Sequence, residues 1–211
     1  MREPQLSTAG SPRAAYEAKA AAELGDADSL VGLPAGAVGW EGPLVGARIA
    51  FCVRTGATGP DSRGLLDARV GDAVSGAAEA FGVPDAVFTL ATRPTEPSDS
   101  DSGAEVRVRR VRLALEAIDP PVVIALDHRA AVDLAAAFGL ESLQAGTAVR
   151  VGGRALGSVG DFGSSLDDPR AKASAWSAMK ATAALGGIDA KGRPKAPLDP
   201  ASKPGVRRDE V

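Results

Sequence analysis

The feature of this sequence that most constrains its fold is a series of four short apolar runs, separated by segments with helical spacing. The runs occupy residues 48–53, 86–90, 122–126 and 155–159. Apolar runs of this length are typical of buried strands. Strands that alternate with helices favour a parallel sheet covered on both faces. The sequence therefore predicts an α/β fold: a three-layer α/β/α sandwich with a short, mainly parallel central sheet.

The segments between the runs carry helix and turn signals. Ser11 followed by Pro12 fits an N-cap and a first helical position, which predicts a helix over residues 13–24. Helices are also predicted over residues 68–81, 104–118 and 129–138 and around Trp176. Gly152-Gly153 precedes the last apolar run and follows another short strand-like segment, so this pair predicts a hairpin.

Length and composition favour one domain. The chain has 211 residues, of which 45% are hydrophobic, which is enough to bury a sizeable core. We expect a flexible N-terminus over residues 1–11, a single domain over 12–187 and a disordered tail over 188–211. The sequence shows neither a signal-peptide pattern nor an apolar run of about 18 residues. It is therefore expected to be soluble and cytoplasmic, with no membrane partner.

Charge and cysteine content limit the possible partners and cofactors. The net charge of -3 gives no overall attraction to nucleic acid, so DNA binding would need a local basic patch. Arg107, Arg109, Arg110 and Arg112 lie on one predicted helix, where they indicate a solvated face or, alternatively, phosphate contacts. Cys52 is the only cysteine, which excludes an internal disulfide and a four-cysteine cluster. No cofactor is expected.

In a parallel sheet, ligands bind outside the carboxyl ends of the strands. Here those ends lead into residues 54–62, 92–97, 127–128 and 160–163. The Gly-rich loop after Arg54 has backbone amides that suit a phosphate, although a plain tight connection is the alternative. His128 is the only histidine and follows a strand directly, which makes it a candidate acid or base. The alternative is a capping turn in which Asp127 is the N-cap.

The segment from Ala155 to Ala181 resembles the end of a known enzyme fold. A strand leads into the turn Gly160-Asp161-Phe162-Gly163, and a helix carrying Trp176 follows. This order resembles the uracil-DNA glycosylase superfamily, in which the corresponding turn is a His-Pro-Ser/Ala loop that grips the flipped nucleotide. The resemblance extends over roughly residues 14–185.

Three further stretches carry the same resemblance. Residues 51–56 lie where the family has its first motif, a loop after a strand. Thr92-Arg93-Pro94 resembles the family's Cys-Arg-Pro loop, with Thr92 at the cysteine. Residues 118–126 resemble a family strand that reads Ile-x-Pro, then an apolar run, then Ala-Leu.

This resemblance implies a set of site residues. The residues expected to contact DNA or a base are Arg54, Thr55, Gly56, Phe88, Arg93, Phe162 and Gly163. Phe88 aligns with the family's base-reading Asn, Phe162 with its Pro, and Asp161 with its His. The candidate catalytic residues are Asp61 or Asp161, to orient water, and His128 as a helper. Asp161 can also be interpreted as a turn residue that bonds its own backbone.

The changed residues affect the expected chemistry. Uracil excision in this family needs stabilisation of an anionic base, and a carboxylate in place of an imidazole opposes that charge. The sequence therefore predicts a divergent member that binds DNA or a nucleobase without ordinary uracil excision. Two alternatives stay open: an active N-glycosidic hydrolase of altered base specificity, and a protein-interaction module on the same fold.

Overall fold

The computed structural model describes residues 11–33, 39–54, 62–93 and 101–190. The helices are α1 (Pro12–Leu30), α2 (Ala68–Ala80), α3 (Asp101–Ile118), α4 (His128–Ala137), α5 (Phe162–Ser165) and α6 (Pro169–Leu185). The strands are β1 (Trp40–Glu41), β2 (Ile49–Val53), β3 (Ser62–Arg63), β4 (Leu66–Asp67), β5 (Val87–Ala91), β6 (Val122–Ala125), β7 (Ala148–Val151) and β8 (Arg154–Ser158). The predicted α/β fold is confirmed.

The central sheet has the strand order β1-β5-β2-β6-β8-β7. The four inner strands β5, β2, β6 and β8 run parallel, and the two edge strands run antiparallel to their neighbours. The predicted hairpin joins β7 to β8, and Gly152 and Gly153 adopt φ angles of 55° and 85° in its turn. Such angles favour glycine and suit a two-residue connection. Strands β3 and β4 form a separate small hairpin.

Two apolar cores lie on opposite faces of this sheet. Alternate residues of each strand point to opposite faces, so Ala50 and Cys52 face one core while Ile49 and Phe51 face the other. Helices α1, α3 and α4 cover the first face, and α2 and α6 cover the second. Because both faces are covered, the four inner strands are buried at nearly every position, which explains the apolar runs of the sequence.

The two ends of the domain differ slightly from expectation. Helix α1 begins as predicted, with Ser11 Oγ accepting the amide of Ala14 at 3.3 Å and Pro12 at the first helical position. It continues to Leu30, beyond its predicted end. Ile188, which was expected to start the disordered tail, is buried and donates its amide to Ala183 O at 2.8 Å. The folded domain therefore passes residue 187. Residues 1–10 and 191–211 lie outside the described part of the chain.

The arginines of α3 do not share one solvated face, so that interpretation is wrong for Arg110. Its side chain is fully buried, contacts Asp28 of α1 at 2.7 Å, and donates from Nη1 to Ala91 O at 2.6 Å. Burial lowers the pKa of Arg110. Arg112 instead forms a half-exposed pair with Glu116 at 2.8 Å. None of the helices in the described ranges is both long and apolar enough to cross a membrane.

Candidate functional site

A cavity of about 280 Å³ lies at the carboxyl edge of the sheet, and we call it the edge cleft. It opens where β2 and β6 end and where the turn after β8 begins, the position at which parallel sheets bind ligands. Its lining residues are Val53, Leu65, Leu66, Asp67, Val70, Leu126, Asp127, Asp161, Phe162 and Gly163. Apolar side chains form most of the wall, and three carboxylates supply its charged groups.

Asp127 connects two strand ends at this cleft. Its Oδ1 accepts the amide of Ala130 at 2.8 Å, so the predicted capping of α4 is confirmed. Its Oδ2 accepts the amide of Arg54 at 2.6 Å, which fixes the end of β2 beside the end of β6. This carboxylate reaches the end of β2 from the end of the neighbouring strand β6, so the local sequence around Val53 gives no sign of it.

Asp161 is the exposed N-cap of the short helix α5. Its Oδ1 accepts the amide of Ser164 at 3.3 Å and its Oδ2 accepts Ser164 Oγ at 2.7 Å, so its interpretation as a turn residue is confirmed. Asp161 also lines the edge cleft and a neighbouring cavity of about 540 Å³ in front of α6. Its carboxylate therefore separates two cavities on one edge of the sheet, and its catalytic role stays a prediction.

Asp67 is the third carboxylate, and the sequence analysis did not identify it. It caps α2 by accepting the amide of Val70 at 3.0 Å. Two residues further on, Arg69 pairs with Asp167 and donates to Gly163 O at 2.9 Å. That contact ties α2 to the turn that carries Asp161. The capping position of Asp67 could have been found from its place directly before an apolar-periodic helix.

Arg93 is held below the surface instead of being presented to a ligand. The Arg93 side chain is largely buried and binds both carboxylate oxygens of Asp133, each at 2.8 Å. Thr92 Oγ1 donates to the same carboxylate at 2.8 Å. The hydrogen bonds that Arg93 donates to Asp133 raise the pKa of Arg93. Asp133 lies inside α4 and is itself buried, so it anchors the chain after β5 to that helix.

Two phenylalanines predicted to contact a base have different positions. Phe88 is fully buried and stacks on Trp40 with ring centroids 6.0 Å apart, so the expected base contact is wrong for this residue. Its position in β5 directs the ring into the apolar core beneath the carboxyl edge of the sheet. Phe162 is also buried, but it lines the edge cleft together with Gly163. These two remain candidates for contact with a base.

The remaining predicted residues are placed as follows. Arg54 is half-buried at the end of β2, and its Nε has no hydrogen-bond partner. His128 is exposed at the first position of α4, next to Asp127 but outside the lining of the edge cleft. Thr55, Gly56 and Asp61 lie outside the described residues, so their predicted roles stay predictions.

The thiol of Cys52 lies below this edge and is fully buried in β2. Burial raises its pKa to about 12, so the thiol is neutral at ordinary pH. Within the described ranges, no three His, Cys, Asp or Glu side chains come together in a way that could hold a metal ion.

Comparison with models of known families and with curated proteins gives no match for this chain.

Proposed function

We propose that this protein is a divergent relative of the uracil-DNA glycosylases that binds DNA or a nucleobase without ordinary uracil excision. The observation that carries the proposal is the edge cleft, a cavity of about 280 Å³ at the carboxyl ends of parallel strands. Ligands of open α/β sheets bind at this edge. The volume lies just below the usual range of about 300–1,000 Å³ for small-molecule sites, which suits a single base.

The residues around the cleft support binding without uracil chemistry. Asp161 lies in the turn where the resemblance places a histidine, and none of the described lining residues is a histidine, lysine or arginine that could stabilise an anionic base. Exposed basic residues lie in the first turns of two helices, Arg129 in α4 and Arg170 in α6, whose N-caps Asp127 and Asp168 line the edge cleft and the neighbouring cavity, respectively. Those side chains suit backbone phosphates, while the cleft suits a base.

The test measures binding and chemistry in the same preparation. Fluorescence anisotropy with single-stranded and duplex DNA should show binding that weakens steeply as salt is raised from 50 to 200 mM. Arg129→Ala and Arg170→Ala together should flatten the salt slope, whereas Arg13→Ala, at the start of α1, should not. Uracil-containing DNA should release no uracil. Absence of DNA and nucleobase binding at low salt would refute the proposal and favour the protein-interaction alternative.

A further inference from the structure

The charges that line the edge cleft have one sign. Its lining contains Asp67, Asp127 and Asp161, and none of its described residues is a lysine, arginine or histidine. The nearest guanidinium on α2, that of Arg69, is already paired with Asp167. A phosphate or an anionic base in this cavity would meet three carboxylates, and none of the described lining residues offers a compensating cation. Such an arrangement disfavours anions by direct Coulomb repulsion.

These carboxylates are fixed in place and keep acceptor capacity. A carboxylate offers about four lone-pair sites. Asp67 uses one for the amide of Val70, and Asp161 uses two for Ser164. Because each carboxylate is held by the start of a helix, it does not need to be reorganised when a ligand arrives. The cleft therefore has preorganised acceptors for N–H donors and for positive charge.

The apolar walls of the cleft strengthen its preference for positively charged ligands. Val53, Val70, Leu126 and Phe162 are all buried apolar residues that line the same cavity. An apolar wall lowers the local dielectric, so a charge interaction there is stronger than in water. The wall also suits the faces of a flat ring, whose burial is favourable by the hydrophobic effect. A flat ring that carries a positive charge satisfies both the walls and the carboxylates.

We infer that the edge cleft binds a purine base made cationic by N-alkylation, in preference to the neutral base. This inference rests on the proposed function, since it names the class of base for the same cleft. A cationic base also fits the charge of Asp161, because a carboxylate repels an anionic base but attracts a cationic one.

Two isomeric ligands separate charge from shape. 1-Methyladenosine is protonated at neutral pH and is therefore a cation. Its isomer N6-methyladenosine is neutral at the same pH. Calorimetric titration of the full chain at pH 7 should show about tenfold tighter binding of 1-methyladenosine, the effect of about one partly screened charge pair. Raising the salt concentration should reduce this preference.

A pair of matched variants locates the effect. Asp161→Asn keeps a good capping residue but removes the charge, and it should reduce the preference by about fivefold. Asp168→Asn makes the same change at the N-cap of α6, where Asp168 accepts the amide of Arg170 at 2.9 Å outside the edge cleft. This control should keep the full preference.

The outcomes distinguish this inference from the proposed function. Equal binding of the two isomers, or binding of neither, would overturn the inference. If DNA binding then persists with its salt dependence, the proposed function still holds and only the preference for a cationic base is refuted. If DNA and nucleobases both fail to bind, the proposed function fails as well. Asp161 lines both cavities, whereas Asp168 lines only the neighbouring one. Loss of the preference in Asp168→Asn, with or without a loss in Asp161→Asn, would therefore place the charge recognition in the neighbouring cavity and refute the assignment to the edge cleft.

Discussion

Asp133 binds Arg93 with both carboxylate oxygens, and both oxygen–nitrogen distances are 2.8 Å. The two side chains are only 5% and 10% exposed, so this pair is a buried connection between α4 and the chain after β5. A buried pair of this kind is costly to break, because removing one partner leaves the other charge uncompensated. Arg93 therefore holds the chain after β5 against α4, and its guanidinium is engaged by Asp133.

The first prediction concerns this pair. Asp133→Asn removes the charge and leaves Arg93 buried without a counter-ion, so the free energy of unfolding should fall by about 3 kcal/mol. Urea denaturation followed by circular dichroism measures this change. The matched control is Asp167→Asn, which breaks the exposed pair with Arg69 and should change stability far less, because exposed ion pairs are screened by water and salt. Equal effects of the two variants would show that the Arg93 pair is not a buried anchor.

The layers of the fold could be predicted because they depend on local patterns. Each inner strand is an apolar run flanked by turn signals, and Ser11-Pro12 and Gly152-Gly153 are signals that act within a few residues. The extension of α1 to Leu30 was not predicted because its last turns contain Gly25 and two aspartates. Tertiary packing stabilises those turns, since Leu24 and Ala27 are fully buried.

The candidate site was less accessible to sequence analysis because its contacts join distant positions. The bond from the Arg54 amide to Asp127 spans 73 residues, and the Arg93–Asp133 pair spans 40. Arg110 was placed on a solvated face because helical spacing puts it outside the apolar positions of α3. Only the packing of α1, which brings Asp28 to it, makes that position internal. Helical spacing alone does not carry such information.

The second prediction tests the close approach of α6 to the sheet. A Cβ atom on Gly157 of β8 would overlap Oγ1 of Thr182, so Gly157→Ala should lower the free energy of unfolding by about 1–3 kcal/mol. The double variant with Thr182→Ala should recover part of this loss. Gly76→Ala is the control, because that glycine is exposed in α2 and its added methyl group meets no atom within 4 Å. It should raise stability by about 0.5–1 kcal/mol, and a similar loss in both variants would contradict the packing argument.

The third prediction follows from the pKa of Cys52. The folded value of about 12 lies above the ordinary value of 9.0, so the unfolded chain loses its thiol proton first as pH rises. The stability due to this difference is complete below pH 9 and is lost between pH 9 and about 12. Relative to Cys52→Ala, the wild type should lose about 2 kcal/mol of stability between pH 8 and 10.5. A stability difference that does not change with pH would contradict the neutral buried thiol.

The last prediction concerns Asp161 and the chemistry of the edge cleft. Asp161→His places an imidazole where the resemblance expects one, but it should restore little or no uracil release. Uracil excision also needs a group that positions water, and neither Val53 nor Arg54 at the end of β2 has a carboxylate or amide side chain to do so. The variant should also lose about 1 kcal/mol of stability, since histidine is a poorer cap for α5 than aspartate. Single-turnover release of uracil from single-stranded DNA is the measurement, with Asp161→Asn as the control. Robust release by the wild type would show that the carboxylates of the cleft support an anionic leaving group, and the proposed function would then be wrong.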